Sequence, residues 1–135
     1  MARKRLKAMT LIELLMVVVI ISILVSFAYP SYQTQNIKAK RMVAIADLSR
    51  LQLYLENGYN NGYHSAKQAV ISAATCLICQ SSAHHYQFSV VLTSNGYLLT
   101  ATPYNQQQND PCLAGPDDTL RLNQAGVAEP ASCWY

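Results

Sequence analysis

The side chains best able to do chemistry in this 135-residue chain are its four cysteines and three histidines. Cys76-Leu-Ile-Cys79 is a CxxC, and His84 and His85 follow closely. That spacing admits three chemistries. A dithiol redox centre needs a βαβ setting, and the surrounding pattern offers none. A zinc site would read Cys-x2-Cys-x4-His-His, which is tight for tetrahedral ligation. The third is a small local disulfide, Cys76 with Cys79, which an oxidising compartment would favour. Cys112 and Cys133 complete the set, and four cysteines allow three connectivities. Topology therefore decides how the cysteines are read.

No catalytic constellation emerges. The acidic residues are scattered, there is no glycine-rich phosphate loop, and His64, His84 and His85 sit in loop-like sequence without a nucleophile motif. The reading is of a non-enzyme with no cofactor and no metal. The net charge of +3 is uneven, since Arg3, Lys4, Arg5 and Lys7 carry four of the ten basic charges. Without residues 1–8, six basic side chains face seven acidic ones, a balance of 6 − 7 = −1. The bulk composition thus lacks the basic footprint of nucleic-acid binding.

One carboxylate stands apart. Residues 9–29, MTLIELLMVVVIISILVSFAY, carry no charge except Glu13. As a helix these residues span about 30 Å, the thickness of a bilayer's hydrocarbon core. The preceding basic cluster stays cytoplasmic by the positive-inside rule, so the bulk of the chain lies on the other side of the membrane. A secretory signal peptide would have a shorter apolar stretch, although Ser26 and Ala28 imitate its cleavage site. A plain anchor would leave Glu13 unexplained: a carboxylate in hydrocarbon costs about 2.5–3.5 kcal/mol at mid-helix and less near an end. Glu13 snorkels to the headgroups or needs a positive partner in an apolar setting.

Lys-Ala-Met-Thr-Leu-Ile-Glu-Leu, residues 7–14, resembles the prepilin processing motif of the type IV pilin family. The resemblance implies a cut between Ala8 and Met9, N-methylation of Met9, and docking of Glu13 onto the N-terminal amine of a neighbouring subunit. The family usually has Gly before the cut and Phe after it, where this chain has Ala8 and Met9. Thr10-Leu11-Ile12-Glu13 match fully, and Ala28-Tyr29-Pro30-Ser31-Tyr32 matches the family's helix midpoint. The implied partners are other pilin subunits, a prepilin peptidase/methyltransferase, the inner-membrane assembly machinery and membrane lipid before assembly. The implied destination is a cell-surface pilus.

The elements that must position these residues follow from pattern. Pro30 should kink or loosen the helix. Ile37, Ala44, Leu48, Leu51 and Leu55 then mark one helical face, with Lys38, Arg41 and Asp47 off that stripe. Asn57-Gly58 is a helix stop. Residues 57–85 read mostly as loop. Tyr86–Leu92 and Tyr97–Thr102 read as strands joined at Ser94-Asn95-Gly96, Thr119–Asn123 as a third strand, and Gln124-Ala125-Gly126 as a turn. The expected organisation is a leader, 1–8; a transmembrane and assembly helix, 9–30; and a head, 31–135. Within the head lie an amphipathic helix, 31–56, a loop, 57–85, and a sheet with a closed tail, 86–135. The fold class is α+β: a long helix packed by the Ile37–Leu55 stripe on a small antiparallel sheet.

The C-terminal half is similar to minor type IV pilins of the PilE type, through Tyr97-Leu-Leu-Thr-Ala-Thr-Pro103, Gln108-Asn-Asp-Pro-Cys112, Leu120-Arg-Leu-Asn-Gln-Ala-Gly126 and Cys133-Trp134. That resemblance implies a Cys112–Cys133 disulfide closing the tail. Nine tyrosines, Tyr54, Tyr59, Tyr63, Tyr86, Tyr97 and Tyr104 among them, read as helix–sheet packing or contacts with neighbours. Lys38, Lys40, Arg41 and Arg50 read as a cluster meeting headgroups or adjacent subunits. The function expected is a structural minor pilin. The alternatives are a DNA-uptake pilin, disfavoured because the head past residue 56 carries only Lys67 and Arg121, and a type II secretion pseudopilin.

Overall fold

A computed structural model describes residues 9–60, 62–73, 75–115 and 118–135. Two units can be described. The first comprises the residues up to Gln35, and the second runs from Asn36 to Tyr135.

The first unit is helical. Helix α1 begins at Leu11 and ends at Asn57, with Pro30 inside it. Proline cannot donate to the carbonyl four residues back, yet helical backbone continues past it. Leu11, Ile12, Leu14 and the valines and isoleucines that follow are exposed, as befits a surface meant for an apolar surrounding. Ser22 and Ser26 do not spoil it. Their hydroxyls donate to the Val18 and Ser22 carbonyls at 2.7 and 2.6 Å, so their polarity is spent within the helix. Ser26 and Ala28 lie in helix rather than in a cleavage loop.

The second unit is an α+β head. Strands β3 (Tyr86–Thr93) and β4 (Gly96–Pro103) pair antiparallel across the Ser94-Asn95 turn. Strand β5 (Leu120–Asn123) pairs with β4, and the short β6 (Ala128–Glu129) closes the order β3-β4-β5-β6. Gly126, at φ 77°, makes the β5–β6 turn. The register explains the core. Phe88, Ala101 and Leu120 form one cross-strand row, and Val90, Leu99 and Leu122 the next, all buried on the same face. Ala44, Ile45, Leu48, Leu51 and Leu55 of α1 join that core. Ile37 is only half-buried.

One reading is corrected. Arg41 and Asp47 are buried, not off the packed face. Arg41 lies four residues after Ile37 and three before Ala44, so helical geometry sets it on the stripe despite its charge. The described residues of 57–85 are mostly turn and loop, as expected, with short regular pieces among them. They hold helix α2 (His64–Val70) and a small hairpin, β1 (Ile71–Ser72) with β2 (Thr75–Cys76). These pieces are too short for periodicity to reveal, and they are held by burial of Ala66 and Val70. Gly58 admits the contact, because a Cβ there would lie 2.9 Å from the Ala66 Cβ.

Candidate functional site

The N-terminal turn of α1 is built around Thr10. The Glu13 amide donates to Thr10 Oγ1 at 3.3 Å, and the Leu14 amide to the Thr10 carbonyl at 3.3 Å. Thr10-Leu-Ile-Glu13 has the spacing of a capping box, and a carboxylate in the first turn also complements the helix dipole. Met9 and Glu13 are both exposed. Neither ion pair among the described residues involves Glu13. Its charge is therefore available to a group outside the first turn. Ala8 lies outside the described residues, as does the basic cluster before it.

The cysteines are paired, Cys76 with Cys79 and Cys112 with Cys133. No described group of three His, Cys, Asp or Glu side chains is set to hold a metal. The second disulfide ties the tail to the segment carrying Asp110, and Asp110 reaches the helix. Arg41 Nη1 donates to Asp110 Oδ1 in a buried ion pair, and the Cys112 amide donates to the same oxygen at 3.0 Å. Beside them the Gln107 amide donates to the Ile37 carbonyl at 3.1 Å and to the Tyr86 hydroxyl at 3.3 Å. Burial raises the Tyr86 phenol pKa.

Asp47 anchors the other side. Its carboxylate accepts from the Gln80 amide at 3.0 Å, the Ser81 amide at 2.8 Å and Arg50 at 2.8 Å. The loop that follows Cys79 is thereby clipped to the helix. The basic cluster read from the sequence thus shrinks: Arg41 is spent in the interior and Arg50 is paired, leaving Lys38 exposed and Lys40 half-buried. Lys40 lines a groove of about 230 Å³ with Ser81, Ser82 and His85. Burial, then Lys40, then His84 lower the His85 pKa.

The tyrosines divide. Tyr86 and Tyr97 are buried, while Tyr54, Tyr59 and Tyr104 are exposed. Tyr97 donates to Glu56 at 2.7 Å, and burial together with that carboxylate raises its pKa. Sequence reasoning missed the Arg41–Asp110, Asp47–loop and Tyr97–Glu56 contacts. Only the positions of Arg41 and Asp47 on the helical face hinted at them.

A family model described as "Type IV minor pilin ComP, DNA uptake sequence receptor" matches residues 30–114. The chain belongs to the ComP family of type IV minor pilins. A second model, the prokaryotic N-terminal methylation motif, matches residues 3–29. A solved type IV pilin from Shewanella oneidensis is 29% identical, covering 73% of this chain and 98% of that one, with a TM-score of 0.50. No curated protein matches the chain. For a minor pilin, the geometry divides labour along one helix. Its first part offers an exposed apolar surface with one carboxylate, and its last part is the spine of the head.

Proposed function

We propose that this minor pilin is cut between Ala8 and Met9, methylated at Met9, stored in the inner membrane by residues 9–30 and then drawn into a cell-surface pilus. Glu13 directs docking onto the N-terminal amine of an adjacent subunit. The observation that carries this reading is the exposed Glu13, in no ion pair among the described residues, in the first turn of an apolar helix. A buried amine and a buried carboxylate each supply what the other lacks. Other pilins, the prepilin peptidase/methyltransferase and the inner-membrane assembly machinery are the partners. Replacing Glu13 with Ala should leave membrane insertion intact and abolish incorporation into sheared pili. Wild-type incorporation would remove the docking role. Mass spectrometry of the mature chain should find methylated Met9 first, and any other terminus rejects the processing site.

A second reading, DNA capture, is favoured by the family that matches residues 30–114, which is described as a DNA uptake sequence receptor. Exposed Lys38 and half-buried Lys40 are the cations best grouped for phosphate contact, with Lys67 and Arg121 apart in sequence. Few cations imply a shallow salt dependence. Gel-shift titration of the full chain in micelles, with duplex DNA at several salt concentrations, tests it. Retarded DNA that is released by added salt supports capture, and free DNA at low salt dismisses it.

A further inference from the structure

Beyond the end of α1, the segment carrying Tyr59 and Tyr63 faces the β3–β4 turn across an open groove of about 580 Å³. That volume lies in the usual range for small-molecule sites. The groove is organised around Tyr63. Its ring meets Tyr59 and Tyr97 at 4.8 Å centroid distances, inclined at 60° and 78°. Its hydroxyl donates to Glu56 at 3.3 Å and accepts from Gln124 Nε2 at 3.2 Å. Gln124 in turn lies across Gly96, where a Cβ would stand 2.4 Å from Gln124 Oε1. Rings and amide are thus held before any ligand arrives, which lowers the ordering cost of binding.

The chemistry of the lining is specific. It has tyrosine rings, the side-chain amides of Asn95 and Gln124, the hydroxyls of Thr93 and Ser94, and the His64 imidazole, which can pair with a hydroxyl as donor or acceptor. No described lining residue is a lysine, an arginine or a carboxylate. A phosphate would find neither a lysine nor an arginine there, and a purely apolar ligand would strand the amides. A pyranose ring suits both features, stacking its C–H face on tyrosine while its hydroxyls pair with amides and hydroxyls. Bases of single-stranded DNA also stack on tyrosine, but such sites add a positively charged track for the backbone. Lys40 lines a different groove.

We infer that the Tyr59–Tyr63–Gln124 groove binds a neutral saccharide, giving this pilin a glycan-recognition site separate from its assembly helix.

The test uses the full chain, ¹⁵N-labelled, in micelles of a sugar-free detergent. Chitotriose, N-acetyllactosamine and maltotriose are titrated separately, with an oligothymidylate in parallel. At least one saccharide should shift the amides of Tyr59, Tyr63, Gly96 and Gln124. Tyr59→Ala should weaken that binding about tenfold, the scale expected for losing one stacked ring. Tyr59→Phe should retain it. Gly96→Ala should weaken it by pushing Gln124 aside, while amide shifts elsewhere in the head report an intact fold. Lys40→Ala should leave it unchanged. No shift with any saccharide at millimolar concentration overturns the inference. So does binding indifferent to Tyr59→Ala, or oligothymidylate alone shifting these amides.

Discussion

Arg41 and Asp110 are the most consequential single residues in the head. They are 69 positions apart and both are buried, so the charge of each is tolerable only because of the other. Asp110→Ala would strand a buried guanidinium and free the Cys112 amide. It should cost about 3–5 kcal/mol in denaturant unfolding of the micelle-bound chain. The paired change Arg41→Met with Asp110→Leu should recover most of that loss, because a well-packed apolar pair avoids desolvating two ions. His85 sets a gentler dependence. Its folded pKa lies below its ordinary value of 6.5, so the unfolded chain takes up the proton first. Its contribution is complete above the unfolded pKa and declines as pH falls through that value towards the folded one. Lys40 and His84 both oppose its charging. Head stability should therefore drop slightly from pH 7.5 to pH 5.5, a change read by thermal melts and flattened in His85→Asn.

At the level of elements, the head depends on tethers placed where regular structure is thin. The Cys112–Cys133 bridge spans a sequence separation of 21 and holds the tail after β5, whose regular pieces are β6 and a short turn of 3₁₀ helix at Ala131–Cys133. Cys76–Cys79 spans a separation of 3. Loop-closure entropy grows with the logarithm of loop length, so the bridges should differ in weight. Replacing both Cys112 and Cys133 with Ser should cost about 3 kcal/mol. Replacing Cys76 and Cys79 should cost about 2 kcal/mol, with denaturant midpoints as the measure. Asp47 already clips the neighbouring loop through two backbone amides, which should cushion the second loss. The strand pattern was legible because aromatic and β-branched residues gather in β3 and Ser94-Asn95-Gly96 punctuates the hairpin. Helix α2 was not, because its burial rests on two small contacts, Ala66 and Val70.

Across the whole molecule, two different solvents are written into one chain. The core of the head is drawn entirely from residues 44–133, inside the second unit. Residues 31–135, exported to an oxidising compartment without the apolar segment, should therefore be soluble and unfold cooperatively, with both disulfides formed. Circular dichroism melts and thiol titration would check this. A start near residue 44 should fail the same test, since it removes Arg41 and the Ile37 carbonyl that Gln107 grips.

What the sequence determined alone was whatever depends on local order. The apolar run with its single carboxylate, the processing-motif resemblance and the antiparallel hairpin are all contiguous strings, readable because hydropathy and period are local properties. The tertiary structure decided which charges are surface and which are interior. Arg41 reads as a free cation until Asp110, far along the chain, is folded against it. Asp47 reads as solvent-exposed until the amides of Gln80 and Ser81 close on it. The saccharide groove likewise exists only where Tyr59, Tyr63, Gly96 and Gln124 converge. The physical reason is common to all three: desolvation and pairing are set by distance in space, and separation along the chain does not encode it.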